Sequence, residues 1–325
     1  MALLLTGADV RGLLDFDAAM EQTAQAFREQ AEGAVAVDPP RMLTTPKGAL
    51  RTVSGALLGS RRMGIRVGPA AGYSDASGTD SRMVALLYDT DSGDLLSIMA
   101  YPFGTLRTGA TVGLATRYFA REDATVVAMV GTGRNALSLL RAVCHVRPIE
   151  RIRVFSRNPE ARAAFARRAQ AELGRPVEAA GSTAEATLGA GVVCVATSSL
   201  TPVIDASQLS PGVFLATMGR PSEIDQSIYR AASLIVVGHK KHEEEYFDGS
   251  RYPHQLLALV KSGEVDWASG VHEMCDVAAG RVPKRTAPDQ TIVFKESQGG
   301  FGDIAFADHV FAEARRRGLG TEVDL

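Results

Sequence analysis

The chain of 325 residues has only three cysteines, Cys144, Cys194 and Cys275, and they lie far apart. An odd, scattered set excludes a disulfide framework and lacks metal-ligand spacing, so no metal is expected. Cys194 sits inside the apolar run GVVCVAT, the setting of a buried, inert thiol. No window reaches the roughly 20 apolar residues of a membrane helix, and no low-complexity tract or internal repeat is present. An excess of one charge is also missing. Lys+Arg number 35 and Asp+Glu 37, and runs of like charge stay as short as Glu243-Glu244-Glu245. A nucleic-acid or membrane-surface binder shows a basic stripe; neither partner is expected. The opening MALLLTGADVRGLLDFD has a short apolar stretch, no basic leader and an early Asp9. It reads as no signal peptide, and the expected compartment is the cytoplasm.

What is present suits a globular enzyme. The hydrophobic share is 46% and the charged share 22%, which excludes a disordered chain, and the length allows two domains. The first residues read as a helix capped by Thr6 or Asp9, with Leu13, Leu14, Phe16 and Met20 at helical spacing, followed by a helical stretch that stops at Gly33. From Pro39 to Met99 short apolar runs are punctuated by Gly and Pro. VALLYD and LLSIMA flank TDSGD as a hairpin. Such a run of strands without helices predicts an antiparallel or mixed sheet. A helix over RTGATVGLATRYFAR follows. Thereafter nearly continuous apolar strands alternate with helices, the pattern of a parallel sheet covered on both faces. The chain closes on a helix over GDIAFADHVFAEARRR with a stop at Gly318.

The strongest chemical signal is VVAMVGTGRNA. Gly131 and Gly133 stand at a strand end and Ala136 fills the third small position of G-x-G-x-x-G/A. The first glycine permits the tight turn, the second lets backbone approach a pyrophosphate, and the alanine allows helix and strand to pack closely. Helix-start N–H groups then face the phosphates. The cofactor contacts expected here are Gly131, Thr132, Gly133, Arg134, Asn135 and Ala136. The second strand ends in Ser156, Arg157 and Asn158 where an NAD-selective site usually carries Asp or Glu. Arg157 suits a 2′-phosphate, so NADP is favoured, with NAD possible. Thr197 and Ser198, at the carboxyl end of a later strand, and Met218 and Gly219 complete the expected cofactor set. The hydroxyls could equally cap a turn.

Taken together with PPR (39–41), GIRVG (64–68), GTLRTGA (104–110), SRNPE (156–160), ATSSLTPV (196–203), GVFLATMGRPSEID (212–225) and FKESQGGFGDIAFAD (294–308), the sequence resembles the ornithine cyclodeaminase/mu-crystallin family along nearly its whole length. The resemblance implies an α/β chain: a Rossmann doubly wound parallel sheet (119–302) inserted into a discontinuous α+β substrate-binding and dimerisation domain (1–118 plus 303–325), assembled as a homodimer. It implies a small amino, imino or keto acid whose carboxylate is held by Arg41, Arg66 and Arg107. The guanidinium fork suits a carboxylate on its own chemistry, and a helix start at Arg107 also favours an anion. Arg66 and Arg107 are the expected catalytic pair.

Two departures from the family pattern shape the expected activity. Arg66 stands where a lysine is usual; charge is kept, but the group cannot readily exchange a proton. Arg220 follows Gly219 where cyclodeaminases carry an essential Asp. Cyclisation wants a carboxylate beside the reacting nitrogen, whereas Arg220 suits an acidic or oxygen-rich substrate tail. The expected activity is therefore that of an NAD(P)H-dependent imine reductase or amino-acid dehydrogenase. An ornithine- or lysine-type cyclodeaminase and a non-catalytic NADP or small-ligand binder are the alternatives. His239, Lys240, Lys241 and His242 read as a charged loop. Asp303 reads chiefly as an N-cap, with a role toward substrate open.

Overall fold

A computed structural model of the protein describes residues 1–70, 82–246 and 253–324. In chain order the first elements are β1 (Ala2–Leu5), α1 (Phe16–Ala31), β2 (Val35–Val37), β3 (Arg41–Thr45), β4 (Gly48–Leu57), β5 (Arg62–Pro69), β6 (Val84–Asp89), β7 (Leu95–Ala100) and α2 (Gly104–Phe119). Next come β8 (Val126–Val130), α3 (Ala136–Val146), β9 (Arg151–Phe155), α4 (Pro159–Leu173), β10 (Val177–Ala179), α5 (Thr183–Thr187), β11 (Val192–Val195) and β12 (Phe214–Thr217). The rest are α6 (Gln226–Ala231), β13 (Leu234–Val237), α7 (Lys240–Tyr246), α8 (Gln255–Lys261), β14 (Val271–Glu273), α9 (Met274–Ala278), β15 (Ile292–Lys295), α10 (Phe301–Arg317) and β16 (Thr321–Val323). The chain divides into two compact units, 1–110 with 298–325, and 111–297. Both divisions fall earlier than the expected 118/119 and 302/303: the first lies inside α2, and Gln298 already bonds Arg107 of the discontinuous unit.

The discontinuous unit holds a mixed sheet in the order β16-β1-β7-β6-β5-β4-β2, with β3 also on β4. The hairpin of β6 and β7 is antiparallel, as its turn chemistry predicts. The expected first helix starts later than a cap at Thr6 or Asp9 would place it, at Phe16 and capped by the Asp15 side chain, and residues 2–5 ahead of it form β1, parallel to β7 and antiparallel to β16. Four apolar residues cannot distinguish strand from helix by periodicity; the partner strands decide. On one face α10 buries Phe301, Ile304, Phe306, Val310 and Phe311, each contributing about 1.5–3 kcal/mol of transfer free energy. The same face carries Arg62, which reaches Asp308 of α10 at 2.6 Å, and Arg66. The opposite face carries an apolar cross-strand row, Leu4, Ile98, Leu86 and Ile65, none of them buried. Met63 and Leu50 on that face are 36% and 41% exposed.

In the inserted unit, eight described strands run parallel in the order β10-β9-β8-β11-β12-β15-β13-β14. Every residue of β11, β12 and β15 is buried, which is why these strands read as unbroken apolar runs. Their core gathers Val130, Val193, Val195, Leu215, Ile228, Val237, Leu256 and Val293. Strand order reverses between β8 and β11, so the carboxyl ends of these two strands form the topological switch point where open α/β sheets bind ligands. No helix among the described residues is long and apolar enough to cross a membrane.

Candidate functional site

Within the discontinuous unit the structure brings Arg66 and Arg107 onto one buried carboxylate. Arg66 leaves β5 on the α10 face and its Nε lies 3.1 Å from Oδ2 of Asp303. Arg107, in the first turn of α2, places Nε 3.5 Å from Oδ1. The Tyr101 hydroxyl donates to the same Oδ1 at 2.9 Å. Asp303 is 2% exposed. Burial pushes its carboxyl up, but Arg66 and Arg107, with the Tyr101 bond, hold it below the usual carboxylate range. Tyr101, buried beside that anion, is driven well above the usual phenol range, so it donates a hydrogen bond and not a proton. The expected N-cap role of Asp303 is corrected. Gly300 is the N-cap of α10, and Asp303 lies in the first turn with its side chain committed to the arginines.

Arg41 is not brought to this cluster. It is exposed on β3, opposite Thr52, which itself pairs with Val67. Neighbours along a strand point to opposite faces, so the row of Arg41 is turned away from the row of Arg66. Two arginines converge where the family pattern suggests three.

In the inserted unit the turn after β8 shows why it needs glycine. Gly131 has φ 101°, and a Cβ there would lie 2.2 Å from the Ala196 carbonyl oxygen. Gly133 is different: it is exposed, and a Cβ would meet nothing within 4 Å. Gly133 is open above the turn, backbone packs tightly under Gly131 and Ala136 is buried, the arrangement a phosphate-binding turn requires. Asn135, at the N-cap of α3, makes no side-chain capping bond, and the N-terminus of a helix favours an anion. These features fit a dinucleotide pyrophosphate. Thr132 donates to the Ser156 hydroxyl at 3.0 Å, tying the cradle to the end of β9. Arg134 and Arg157 are exposed, and the Asn158 side chain caps α4 through Ala161 N–H. Ser198 is exposed.

The Thr197 hydroxyl is already used: it donates to Glu223 at 2.9 Å and accepts from Ser199 N–H. Glu223 is fully buried and also accepts from Thr197 N–H, the Thr217 hydroxyl and Gly219 N–H. It joins the carboxyl ends of β11 and β12 into one frame; burial raises its pKa. Lys295, buried at the end of β15, sends Nζ to the carbonyls of Glu296 and Gly219 at 3.2 and 3.4 Å. The Gly219 turn, and with it Met218 and half-buried Arg220, is thus held from both sides by buried charge. Sequence reasoning missed Lys295 and the buried Glu243–His254 pair at 2.8 Å. The available signal was a lysine closing the apolar run TIVF. His239 accepts the His242 N–H at 3.2 Å, the bond of a helix start, and burial lowers the pKa of both, His242 to about 4. Among the described residues, Glu273, Cys275 and Asp276 bring ligand atoms within 4.8 Å of one another. Glu273 already accepts Lys240 N–H and Asp276 pairs with Arg281.

The inserted unit carries the switch-point turn of an NAD(P)-dependent oxidoreductase, and the discontinuous unit gathers two arginines on one buried carboxylate. Residues 1–318 match the ornithine cyclodeaminase/mu-crystallin family; the chain belongs to that family. It is 29% identical over 248 residues, 74% of each chain, to a Delta(1)-pyrroline-2-carboxylate reductase of Bacillus cereus. The structure of Thermococcus litoralis Delta(1)-pyrroline-2-carboxylate reductase in complex with NADH and L-proline superposes with a TM-score of 0.86 at 27% identity, covering 99% of this chain and all of that one. The fold is also that of an archaeal alanine dehydrogenase dimer with bound NAD, at a TM-score of 0.84, 24% identity and coverage of 100% and 99%. The chain is accordingly an oxidoreductase of the imine reductase/amino-acid dehydrogenase type.

Proposed function

We propose that the protein reduces the C=N bond of a small cyclic or linear imino acid carrying one carboxylate beside the imine carbon, with NADPH as the preferred hydride source. The observation that carries this reading is the convergence of Arg66 and Arg107, from β5 and α2, at buried Asp303. The guanidinium fork matches a carboxylate. Arg66 and Arg107 orient that carboxylate and polarise the adjacent carbon. Neither gives up a proton, so the nitrogen takes its proton from elsewhere. The bound nicotinamide supplies the hydride.

In this reading Gly131–Ala136 and the α3 N-terminus hold the pyrophosphate, Ser156 and Arg157 meet the adenosine ribose and its 2′-phosphate, and the framed Met218–Gly219 turn flanks the nicotinamide half. Arg157, exposed just past β9 and preceded by Ser156 where an NAD-selective site usually carries Asp or Glu, supports NADP over NAD. Arg220, at the cyclodeaminase Asp position, supports reduction over cyclisation and attends the substrate periphery. The apolar sheet face of Leu4, Ile98, Leu86 and Ile65 supports a homodimer, because a face of this kind is covered in stable proteins. Three cysteines without disulfide partners support a reducing, cytoplasmic setting.

Steady-state assays with Δ1-pyrroline-2-carboxylate and with pyruvate plus ammonia test the reading. The expected result is stoichiometric oxidation of reduced nicotinamide with formation of proline or alanine. Ammonia release from ornithine without net cofactor use would establish a cyclodeaminase instead. Cofactor binding without any turnover would leave a binder.

A further inference from the structure

Glu223 ties the turns at the carboxyl ends of β11 and β12 to each other through separate oxygens. Its Oε2 accepts the Thr197 N–H at 2.7 Å and the Thr197 hydroxyl at 2.9 Å, while Oε1 accepts the Gly219 N–H at 2.7 Å and the Thr217 hydroxyl at 2.5 Å. The side chain is fully buried. All four groups donate, and only an ionised carboxylate offers full acceptor capacity on both oxygens. The two turns are also pressed together: a Cβ on Gly219 would lie 2.1 Å from Oε2 and 2.3 Å from the Thr197 carbonyl oxygen. Gly219 is therefore glycine for the protein's own carboxylate, whereas Gly133 is open. The turn after β8 is held by other bonds, from Gly131 N–H to the Phe155 carbonyl at 2.8 Å and from Thr132 to Ser156 at 3.0 Å.

We propose that Glu223 is a positioning residue for the nicotinamide half of the cofactor: its carboxylate sets the spacing between the Thr197–Ser199 turn and the Met218–Arg220 turn. This rests on the reading above, in which the Met218–Gly219 turn flanks the nicotinamide half. The requirement is for the carboxylate and not for its size. An amide of equal volume carries two donors on its nitrogen. The threonine hydroxyls can rotate to accept from them, but the backbone N–H groups of Thr197 and Gly219 cannot. Those two N–H groups bond to different oxygens, so either orientation of a glutamine sets its NH2 against one of them and opens one side of the brace. A buried donor left unpaired is costly, and the turn shifts to relieve it. The adenosine half, met by Gly131–Ala136, Ser156 and Arg157 in that reading, lies outside the brace.

The test is calorimetric titration of wild type and Glu223→Gln with a whole dinucleotide and with its adenosine half alone: NADP+ against 2′,5′-ADP, and NAD+ against ADP. In the variant, the dinucleotide that wild type takes binds about tenfold or more weakly, while the matching fragment stays within about threefold of wild type. Dinucleotide binding within about threefold of wild type overturns the proposal. So does equal weakening of dinucleotide and fragment, which is what general loosening of the sheet produces. Should Glu223→Gln not fold, Thr217→Val carries the test, because it removes one hydroxyl donor at nearly constant volume. It weakens the dinucleotide about fivefold and leaves the fragment unaffected, and Thr217→Ser, which keeps the hydroxyl, restores binding. Wild-type affinity in Thr217→Val refutes the positioning role. Wild type that binds a dinucleotide but reduces no imino or keto acid removes the functional reading alone, and the titrations still decide the role of Glu223. Wild type that binds neither dinucleotide overturns both.

Discussion

Replacing Gly131 and Gly133 separately by alanine dissects the cradle. Gly131→Ala forces φ 101° on a residue with a Cβ and drives that Cβ to 2.2 Å from the Ala196 carbonyl. The conformation alone costs about 1–3 kcal/mol, and relieving the clash moves the end of β8 or β11, so a loss of about 3 kcal/mol is expected. For a unit of this size that lowers Tm by roughly 6–12 °C. Gly133→Ala meets nothing within 4 Å, so its stability cost stays within about 0.5 kcal/mol. Its methyl instead fills the space a pyrophosphate enters. Displacing the phosphate by that methyl removes at least one charge-assisted N–H bond, worth about 2 kcal/mol, or roughly 30-fold in Kd. Differential scanning calorimetry and fluorescence titration with NADPH and NADH read the two effects. Gly133→Ala binding within threefold of wild type, or Gly131→Ala melting at the wild-type temperature, would refute the assignment of this turn as the phosphate cradle.

Arg107→Ala should raise KM for a carboxylate substrate about 100-fold, the loss of one charged hydrogen-bonded contact of up to about 3 kcal/mol, while NADPH affinity stays at the wild-type value; a KM change below threefold contradicts the anchor role. Arg157→Ala should weaken NADPH binding about tenfold and leave NADH unchanged. Equal effects on both cofactors would remove Arg157 from the 2′-phosphate site. Glu243 and Asp303 are both held below the ordinary carboxylate range, Glu243 against its own burial by Lys295 and His254. A carboxyl whose folded pKa is depressed contributes stability above its unfolded value, near 4.5 for Glu243, and loses it as pH falls through the folded value. Glu223, raised by burial, works in the opposite sense and is most favourable below its unfolded pKa. Melting temperatures taken from pH 3 to 6 should therefore fall steeply on acidification in wild type and less steeply in Glu243→Gln. An unchanged slope refutes the pair as an acid-sensitive contact.

Which features were legible beforehand follows from the range of the interactions involved. The glycine turn, the hairpin of β6 and β7 and the alternation of strands and helices after residue 124 are local, and local pattern suffices for them. The stop at Gly318 was legible for the same reason, since a helix end there needs only its own φ of 65°. β1 was not legible because four apolar residues owe their state to β7 and β16, which lie about 95 and 320 positions away. The direction of Arg41 depends on the register of β3 against β4, and a slip of one residue would reverse it. Asp303 looked like a helix cap because its true partners, Arg66 and Arg107, lie some 200 residues earlier. Glu223 and Lys295 are buried charges held by backbone groups and Glu243 pairs with His254; these partners lie apart in sequence, so local pattern does not identify them.

Deuterium transfer tests the central claim most directly. Wild-type protein is turned over with Δ1-pyrroline-2-carboxylate and NADPH deuterated at the transferable C4 position, and the product is analysed by mass spectrometry and proton NMR. The account predicts proline carrying one deuterium on Cα, with Arg107→Ala yielding the same label at a much higher KM. Unlabelled proline, or no proline while the cofactor is bound, would contradict it.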